Sequence, residues 1–493
     1  MPQENRIKPK RAIVAAVQLP SVSDAELKVS LDELRELAAT LGYEVAGTFT
    51  QKRASFDAAA YFGAGKRDEL RAFVQGDAST AEPGATDDDA PPRRALAADK
   101  KIARHGAVAA REAAKAQEAS AASESRERLA DVILVDHEIS PSQARNLENA
   151  AGCEVLDRTM VILEIFHRHA RSNAARAQVE IARLRYLAPR LREAAKLAGP
   201  QGRQRSGVGG RGAGEGAGES DRAKIRDRIA ELKQEIIALD LERQTQRARR
   251  QGSQSLARVV LVGYTNAGKS TLMRALTGSE VLVANKLFAT LDTTVRALVP
   301  EGVPRVLESD TVGFIKNLPH DLVASFKSTL EEAAEASLLL HVIDASDPGY
   351  ERQIAVTDEV LNEIGAAKVP RLRIFNKLDQ VGDALAQRQR AAALTAHYPK
   401  SLALSAVDAQ DIARLHKAIR AFFSRRLAKA ELFLPWAAQH LRGEVFANCE
   451  VLEERATDEG THFSVRAERE ALKSLQDRIG VAEPLRTTPR SAA

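Results

Sequence analysis

A glycine-containing segment of fixed spacing constrains the fold of this chain more than any other feature. The sequence Gly263-Tyr-Thr-Asn-Ala-Gly268-Lys269-Ser270-Thr271 directly follows the apolar run Val259-Val-Leu-Val262. Glycines at this spacing let a loop turn its backbone N–H groups toward phosphate oxygens, and the next helix adds the positive end of its dipole. The pattern therefore predicts a strand, a phosphate loop and a helix over 270–276. The residues expected at the phosphates are Gly263, Tyr264, Thr265, Asn266, Ala267, Gly268, Lys269, Ser270 and Thr271.

Two side chains of this loop have specific expected tasks. Lys269 should reach the outer phosphates, and the Ser270 hydroxyl should bind Mg²⁺. A glycine-rich turn with an exposed lysine is the alternative, but the preceding strand, the following helix and the later motifs all favour the phosphate loop. The sequence therefore predicts a nucleotide as ligand, with Mg²⁺ as cofactor.

A tetrapeptide further along the chain, Asn376-Lys377-Leu378-Asp379, predicts which base is bound. The Asp379 carboxylate can pair with two adjacent N–H donors on guanine, and adenine offers no such pair. A buried polar group without a partner costs about 1 to 3 kcal/mol, so the pattern favours GTP over ATP. Asn376 and Lys377 are expected to brace the loops around the base. The Ser405-Ala406-Val407 segment follows a short apolar run and should place a backbone N–H near the guanine oxygen.

The segment Asp310-Thr311-Val312-Gly313 is expected to sense the γ-phosphate. It closes a strand predicted over 305–309; Asp310 would hold a water on Mg²⁺, and the Gly313 N–H would meet the γ-phosphate. A first switch is predicted at Phe288-Ala289-Thr290-Leu291-Asp292, with Thr290 as second protein ligand to Mg²⁺. Thr293 and Thr294 compete for that role, and all three hydroxyls could instead cap turns. The expected catalytic groups are Lys269, Thr290 and Gly313.

Composition excludes several other classes of protein. Two cysteines among 493 residues make a disulfide scaffold or a cysteine zinc site implausible. The first apolar run, 13–17, is too short for a signal sequence or membrane span. We therefore expect a cytoplasmic protein without a membrane span, and a monomer that does not bind DNA.

Charge is distributed unevenly along the chain. The stretch 168–250 has 20 Lys and Arg against 10 Asp and Glu, a net charge of +10 within a total of +5, which leaves −5 elsewhere. A basic region of this size indicates a surface for polyanions, and its single aromatic residue, Tyr186, favours phosphate contacts over base stacking. A solvated helix pair with excess charge is the alternative.

Hydrophobic periodicity divides the chain into four parts. An N-terminal α/β domain is predicted over 1–160, interrupted at 76–128 by a polar insert that cannot form a core. A helical hairpin is predicted over 161–254, a GTP-binding domain with a mostly parallel sheet over 255–427, and a small α+β domain over 428–493. The predicted fold class is therefore α/β.

The predicted hairpin has an unusual tip. Apolar residues at helical spacing over 161–191 and again over 225–239 predict two antiparallel helices, with a loop over 199–218 between them. Nine of the twenty loop residues are glycine, and Arg203, Arg205 and Arg211 lie among them. A flexible basic tip on a stiff stalk can enter an RNA cavity. An ordinary linker is the alternative.

Two further segments are interpreted as structural. Tyr61-Phe-Gly63-Ala-Gly65-Lys66 imitates a phosphate loop but lacks its four-residue gap and the hydroxyl residue after the lysine, so it predicts a turn before a helix. His341 lies within an apolar strand and is expected to be a packed residue rather than a ligand.

These motifs together resemble the HflX family of ribosome-associated GTPases. The resemblance rests on Tyr264–Thr271, Phe288–Asp292, Asp310–Ile315 and Leu318-Pro-His-Asp-Leu322 in the GTPase part. It extends to Tyr61–Lys66, Glu138–Gln143 and Arg145-Asn-Leu147 outside it. It implies a GTPase that binds the large ribosomal subunit through its N-terminal domain and hairpin, and dissociates stalled or idle ribosomes under stress. A non-catalytic adapter for a protein partner and a GTPase of ribosomal subunit assembly are the alternatives.

Two departures from the family pattern stand out. The glycine-rich loop is longer than is usual in the family and lacks the common family motif Thr-Arg-Gly-Pro-Gly-Glu. The nearest match is Gly210-Arg-Gly-Ala-Gly-Glu215. Glu308 and Ser309 stand before Asp310 where family members are usually apolar or have a threonine, which should loosen local packing but spare the nucleotide site. In addition, Phe314 follows Gly313 where many GTPases have a glutamine that orients water, which predicts slow hydrolysis by the isolated protein.

Overall fold

A computed structural model of the chain describes residues 9–76, 128–197, 215–251, 257–278, 287–288, 294–316 and 332–482. The polypeptide forms two compact units. One comprises Met1–Arg168 with Val179–Glu231, and the other comprises His169–Gln178 with Leu232–Ala493. Residues 77–127 of the predicted insert lie outside the described residues. None of the helices in the described ranges is long and apolar enough to cross a membrane.

The N-terminal residues form a four-stranded parallel sheet in the order β2-β1-β3-β4. Parallel strands need crossover connections, which helices supply here. The predicted alternation of strands and helices is confirmed. The elements are β1 (Arg11–Gln18), α1 (Asp24–Thr40), β2 (Glu44–Lys52), α2 (Ala64–Val74), β3 (Val132–Val135), α3 (Pro141–Ala151) and β4 (Glu154–Asp157).

The motifs that lie outside the GTPase part stabilise the loop between β2 and α2. Gln143 of α3 donates to the Asp57 carbonyl at 2.6 Å, and Asn146 donates to the Ala59 carbonyl at 2.8 Å. The fully buried Tyr61 hydroxyl accepts the Val17 N–H at 2.9 Å and contacts His137 Nδ1 at 2.7 Å. The prediction of a turn before a helix is confirmed, because α2 begins directly after Gly63.

The helical stripe predicted over 161–191 is divided between two helices, α4 (Arg158–His169) and α5 (Asn173–Leu197). The separation follows from a local cap, because the Ser172 hydroxyl accepts the Ala175 N–H at 3.1 Å at the start of α5. The next helix, α6 (Glu215–Gln251), begins inside the segment predicted as loop. Acidic residues in its first turns favour a helix start at that point. Residues 198–214, with the three loop arginines, lie outside the described residues.

The GTP-binding part has a six-stranded sheet in the order β10-β9-β8-β5-β7-β6. All pairs are parallel except β6 with β7, so the prediction of a mostly parallel sheet is confirmed. Its strands are β5 (Ala257–Gly263), β6 (Thr294–Ala297), β7 (Val306–Asp310), β8 (Leu338–Asp344), β9 (Arg371–Asn376) and β10 (Leu402–Ala403). Its helices are α7 (Lys269–Thr277), α8 (Tyr350–Glu363), α9 (Ala384–His397) and α10 (Ala409–Ser424).

The sheet is buried on both faces. Val259 and Leu261 of β5 and Leu340 of β8 contribute to one core, while Ile343 of β8 and Phe375 of β9 contribute to a second. Alternate residues of a strand face opposite sides, so near-continuous apolar strands are expected in a sheet covered twice. His341 is 1% exposed, and burial lowers its pKa to about 3, so it is a neutral packed residue as predicted.

The C-terminal residues form a small α+β region, as predicted. A three-stranded antiparallel sheet has the order β11-β13-β12, with helices packed against it. Its elements are β11 (Ala428–Pro435), α11 (Arg442–Asn448), β12 (Glu450–Ala456), β13 (Gly460–Ala467) and α12 (Arg469–Ala482). The tryptophan of the chain, Trp436, is half-exposed and donates its indole N–H to the Asp458 carbonyl at 2.9 Å.

Candidate guanine nucleotide site

The phosphate loop connects β5 to α7 at the carboxyl end of the sheet. Gly263 has φ +148° and Gly268 has φ +94°, backbone conformations that residues with side chains rarely adopt. A Cβ on Gly263 would lie 2.1 Å from the Val342 carbonyl oxygen, so glycine is required there by close approach as well. Gly268 is the N-cap of α7, so the loop ends at a helix N-terminus, where free N–H groups and the helix dipole favour an anion.

Lys269 is folded back over this loop. Its ammonium donates to the Gly263 and Tyr264 carbonyls at 3.1 and 2.7 Å, and the residue is 7% exposed. Burial lowers the pKa of Lys269 to about 8, while the Asp310 carboxylate opposes that shift. A buried ammonium that donates to carbonyl oxygens attracts negative charge, such as that of a phosphate.

The Ser270 hydroxyl and the Asp310 carboxylate meet beneath the loop. Ser270 Oγ donates to Asp310 Oδ2 at 2.7 Å, and Asp310 is fully buried at the end of β7. Gly313 lies against the same loop, because a Cβ there would be 2.9 Å from Thr265 and 3.0 Å from the Lys269 ammonium. The structure thus brings together Lys269, Ser270, Asp310 and Gly313, which were predicted from separate motifs.

Phe314 binds the phosphate loop through its backbone. Its N–H donates to the Gly263 carbonyl at 3.1 Å, and its carbonyl accepts the Thr265 N–H at 2.7 Å. The Tyr264 hydroxyl also accepts the Lys316 N–H at 2.9 Å. The Phe314 side chain is 1% exposed, so the residue after Gly313 is a packing residue that cannot hold a water.

Asn376 joins the phosphate loop to the base loop, residues 405–407, which is predicted to lie against guanine. Its side-chain nitrogen donates to the Ala267 carbonyl at 2.9 Å, and its oxygen accepts the Ala406 N–H at 2.9 Å. Asn376 therefore links the phosphate loop to the segment that contains Ala406. Of the backbone N–H groups in the segment expected near the guanine oxygen, that of Ala406 donates to Asn376.

Asp379 and Lys377 each have a polar partner. Asp379 Oδ1 accepts the Ser405 hydroxyl at 2.5 Å, which orients the carboxylate expected to read the base. The Lys377 ammonium pairs with Asp344 Oδ2 at 2.7 Å, and Lys377 has a left-handed φ of 63°. Leu378 packs against the second core, while the Val407 side chain is 73% exposed.

Three residues at this end of the site were missed by the sequence analysis. Asp344 is the last residue of β8 and pairs with Lys377. An acidic residue at the end of an apolar strand is a signal that could have identified it. Asp411 accepts the Ser405 N–H at 2.8 Å, and Arg414 pairs with Asp411 at 2.7 Å. Nothing in the local sequence distinguishes these two from ordinary helix-surface residues.

Glu308 is an unusual residue beside the site. It is fully buried, and neither carboxylate oxygen has a hydrogen-bond partner among the residues that the structure describes. Burial raises the pKa of Glu308 well above its ordinary value, and the negative charge of Asp310 adds to the shift. The departure noted in the sequence is therefore a buried acid whose neutral form is favoured by its surroundings.

Part of the predicted first switch lies outside the described residues: Ala289, Thr290, Leu291, Asp292 and Thr293. Phe288 is described, is 3% exposed and has a left-handed φ of 55°. Thr294 is the first residue of β6, and Thr271 lies in the first turn of α7. The assignment of Thr290 to Mg²⁺ stays a prediction.

The residues that are present suit a nucleotide with Mg²⁺. A hydroxyl and a carboxylate 2.7 Å apart next to an ammonium can serve a hard cation on one side and phosphate oxygens on the other. The described residues contain no cluster of three or more His, Cys, Asp or Glu that could hold a metal ion alone. In nucleotide sites Mg²⁺ is typically bound by one or two protein side chains together with phosphate oxygens and water.

Three family models match segments of this chain. Residues 258–377 match the model described as "50S ribosome-binding GTPase". Residues 169–250 match "GTP-binding GTPase Middle Region", and 28–82 with 102–167 match "GTP-binding GTPase N-terminal". Among solved structures, a GTP-binding protein from Sulfolobus solfataricus in complex with GDP has a TM-score of 0.40 and 20% identity. That match covers 83% of this chain and 99% of the other.

Curated relatives are much closer in sequence. GTPase HflX of Gluconacetobacter diazotrophicus is 49% identical over 469 residues, which cover 94% of this chain and 97% of that protein. GTPase HflX of Escherichia coli is 42% identical over 323 residues, 64% of this chain and 73% of that protein. The chain belongs to the HflX family of GTPases and is a P-loop enzyme that hydrolyses GTP.

Proposed function

We propose that this GTPase binds the large ribosomal subunit and, in its GTP-bound form, dissociates stalled or idle ribosomes in the cytoplasm, particularly under stress. The observation that carries the partner is the net charge of +10 over 168–250, in a chain whose remainder is at −5. Ribosomal RNA is a polyanion, and phosphate contacts require such a surface. The family description "50S ribosome-binding GTPase" for 258–377 supports the same partner.

At the nucleotide, each residue has a proposed role that follows from its contacts. Lys269 exchanges its carbonyl partners for phosphate oxygens, and the N–H groups of 263–271 surround them. Ser270 and Thr290 hold Mg²⁺, which neutralises phosphate charge when bound, and Asp310 orients its water. Asp379, positioned by Ser405, reads guanine, and the Gly313 N–H meets the γ-phosphate.

The base assignment is tested by Asp379→Asn. The substitution replaces an acceptor with a donor, so affinity for GDP should fall and affinity for xanthosine diphosphate should rise. Equilibrium binding of both nucleotides to wild type and variant measures the change. An unaltered preference would contradict the assignment of Asp379.

The partner is tested by co-sedimentation with purified ribosomes in a non-hydrolysable GTP analogue across a series of salt concentrations. Binding through phosphates falls steeply with salt. A GTP-dependent adapter for a protein partner has no reason to co-sediment with ribosomes in a way that depends on salt or on GTP. Absence of both dependences would overturn the ribosome proposal. Binding to precursor particles in preference to mature ribosomes would indicate subunit assembly instead.

The loop arginines are tested by replacing Arg203, Arg205 and Arg211 with alanine together. We expect weaker ribosome binding, a smaller salt dependence and unchanged GTP affinity. The matched control removes three exposed lysines elsewhere, Lys368, Lys417 and Lys473. If both triple variants dissociate ribosomes like wild type, the loop is an ordinary linker.

Hydrolysis by the isolated protein should be slow, because Phe314 is buried and cannot position water. We propose that the ribosome accelerates hydrolysis, an effect that in other GTPases reaches about 10³ to 10⁵. Single-turnover hydrolysis with and without ribosomes tests this, and equal rates would overturn it. Loss of hydrolysis in His320→Ala with normal GTP binding would instead favour a side chain of the protein; His320 and Asp321 lie outside the described residues.

A further inference from the structure

The short strand β10 leads directly into the base loop 405–407 and lies at an edge of the six-stranded sheet. Among the described strands it pairs only with β9. Backbone groups on its other side therefore lack a strand partner, and such groups need hydrogen bonds from elsewhere to stay fixed. The conformation of the base loop depends on what supplies them.

An ion pair on helix α10 supplies hydrogen bonds to the backbone on the unpaired side of β10. Asp411 Oδ2 accepts the Ser405 N–H at 2.8 Å, and Arg414 Nη2 donates to the Ala403 carbonyl at 3.3 Å. Arg414 Nη1 also donates to Asp411 Oδ1 at 2.7 Å. A carboxylate and a guanidinium thus take the positions that an acceptor and a donor of a neighbouring strand would occupy.

The same contact continues to the residue that reads the base. Ser405 has its N–H fixed by Asp411 and its hydroxyl fixed by Asp379 at 2.5 Å. The N–H and the hydroxyl of Ser405 are therefore both held, so the orientation of the Asp379 carboxylate is coupled through Ser405 to Asp411. This is a chain of two hydrogen bonds between α10 and the base-reading side chain.

Open space borders the loop on this side. A cavity of about 640 Å³ between α9 and α10 is lined by Asp379, Ser405, Asp411 and Arg414, among others. The Asp411 side chain is 16% exposed, while Arg414 is 59% exposed. Solvent screens an exposed pair, so the hydrogen bond from Ser405 to Asp411 should matter more than the charge of Arg414.

We propose that Asp411 and Arg414 are positioning residues for guanine recognition, with Asp411 the more important of the two. The inference rests on the proposed reading of guanine by Asp379. Neither residue touches the nucleotide in this proposal; they act by holding Ser405, and through it Asp379, in the orientation that pairs with the 2-amino group of guanine.

The test compares affinities for GDP and for inosine diphosphate, which lacks that 2-amino group. Asp411→Ala should narrow the preference for GDP about threefold to tenfold, the effect of losing one hydrogen bond that orients a charged group. Arg414→Ala should narrow it about twofold. Asp411→Asn retains an acceptor for the Ser405 N–H and should keep most of the preference. Lys417→Ala, an exposed charge change on the same helix, should have no effect.

Thermal unfolding of each variant separates a positioning role from general damage to the fold. Damage to the fold would weaken the binding of both nucleotides equally and lower the unfolding temperature. Asp379→Asn is measured beside these variants. If it leaves the preference unchanged, the guanine assignment falls, and this inference with it. If it alters the preference while folded Asp411→Ala and Arg414→Ala behave like wild type, only the positioning role is overturned.

Discussion

Two glycine-containing turns of this chain end in Gly-Lys or Gly-x-Gly-Lys at the start of a helix. They are the phosphate loop at 263–269 and the N-terminal turn at 63–66, and they differ in backbone conformation and in the surroundings of the lysine. At 263–269, two glycines have left-handed or extended positive φ, and the lysine is buried against loop carbonyls. At 63–66, Gly63 has an ordinary φ of −65°, and a Cβ on Gly65 would contact nothing within 4 Å. Lys66 pairs with Glu69 at 2.7 Å instead.

The difference shows what makes a glycine-rich turn bind phosphate. Glycine alone is insufficient; the backbone must adopt conformations that only glycine tolerates, so that several N–H groups converge. The lysine must also be held where it lacks a full counter-charge. The turn at 63–66 meets neither condition, and its helix begins as an ordinary surface helix.

The largest expected contrast is between the two lysines. Lys269→Ala should weaken GTP binding on the order of a hundredfold, because it removes a buried charged donor from the phosphates. Lys66→Ala should leave the affinity unchanged, since its ammonium pairs with Glu69. Titration with a fluorescent GTP analogue measures both. Comparable losses in the two variants would mean that both turns hold phosphate.

Alanine substitutions of one glycine in each turn should change the free energy of unfolding in opposite directions. Gly268→Ala should lower the free energy of unfolding by about 2 to 3 kcal/mol, because the residue has φ +94° and its Cβ would lie 2.3 Å from Asn376 Nδ2. Gly65→Ala, inside α2 with open space around it, should raise it by about 0.5 to 1 kcal/mol. Urea unfolding of both variants tests the pair. A gain of stability in Gly268→Ala would contradict the strained loop conformation.

A third contrast concerns the buried acid beside the phosphate loop. Glu308→Leu should raise the free energy of unfolding at neutral pH by about 1 to 2 kcal/mol, because it removes a buried carboxyl without a described hydrogen-bond partner. Burial raises the pKa of Glu308 in the folded state. The contribution of Glu308 to the free energy of unfolding is therefore fully present below about pH 4.3 and is lost as pH rises toward the folded pKa.

The advantage of Glu308→Leu should therefore grow with pH, and urea unfolding at several pH values from about 5 to 8 measures it. Glu359→Leu, at an exposed position of α8, is the matched control and should show no such growth. An advantage that stays constant with pH would mean that Glu308 does not titrate differently on unfolding.

The smallest expected effect is at the N-terminal turn. Tyr61→Phe should lower the free energy of unfolding by about 1 kcal/mol, because the buried Val17 N–H loses its acceptor. GTP affinity should stay at the wild-type value, as this turn takes no part in phosphate binding. Unfolding and nucleotide titration of the same sample check both statements, and a fall in GTP affinity would break the separation between the two turns.

Local patterns predicted most of the fold and of the phosphate site. Lys269, Ser270, Asp310 and Gly313 belong to motifs whose spacing follows from the geometry of a strand, a tight loop and a helix, so their meeting point could be anticipated. The break between α4 and α5 was missed because a hydrophobic stripe continues across it, while Ser172 caps the new helix. Short polar signals are weaker than periodicity in a sequence.

Contacts that depend on the edge of the sheet could not be predicted. Asp411 and Arg414 are spaced like any surface ion pair on a helix, and only the packing of α10 against β10 gives them backbone partners. The burial of Glu308 was likewise not anticipated, because a glutamate in a strand usually faces solvent. Tertiary context decides in both cases.

The hydrogen bonds of Phe314 and Lys316 to the phosphate loop restrict the conformational entropy of both segments. Fixing the backbone of one residue costs about 1 to 2 kcal/mol. Phe314 and Lys316 are attached to residues 263–265 by three such hydrogen bonds. Any movement that separates 314–316 from 263–265 would therefore have to break these bonds, so the two backbone segments should move together rather than independently.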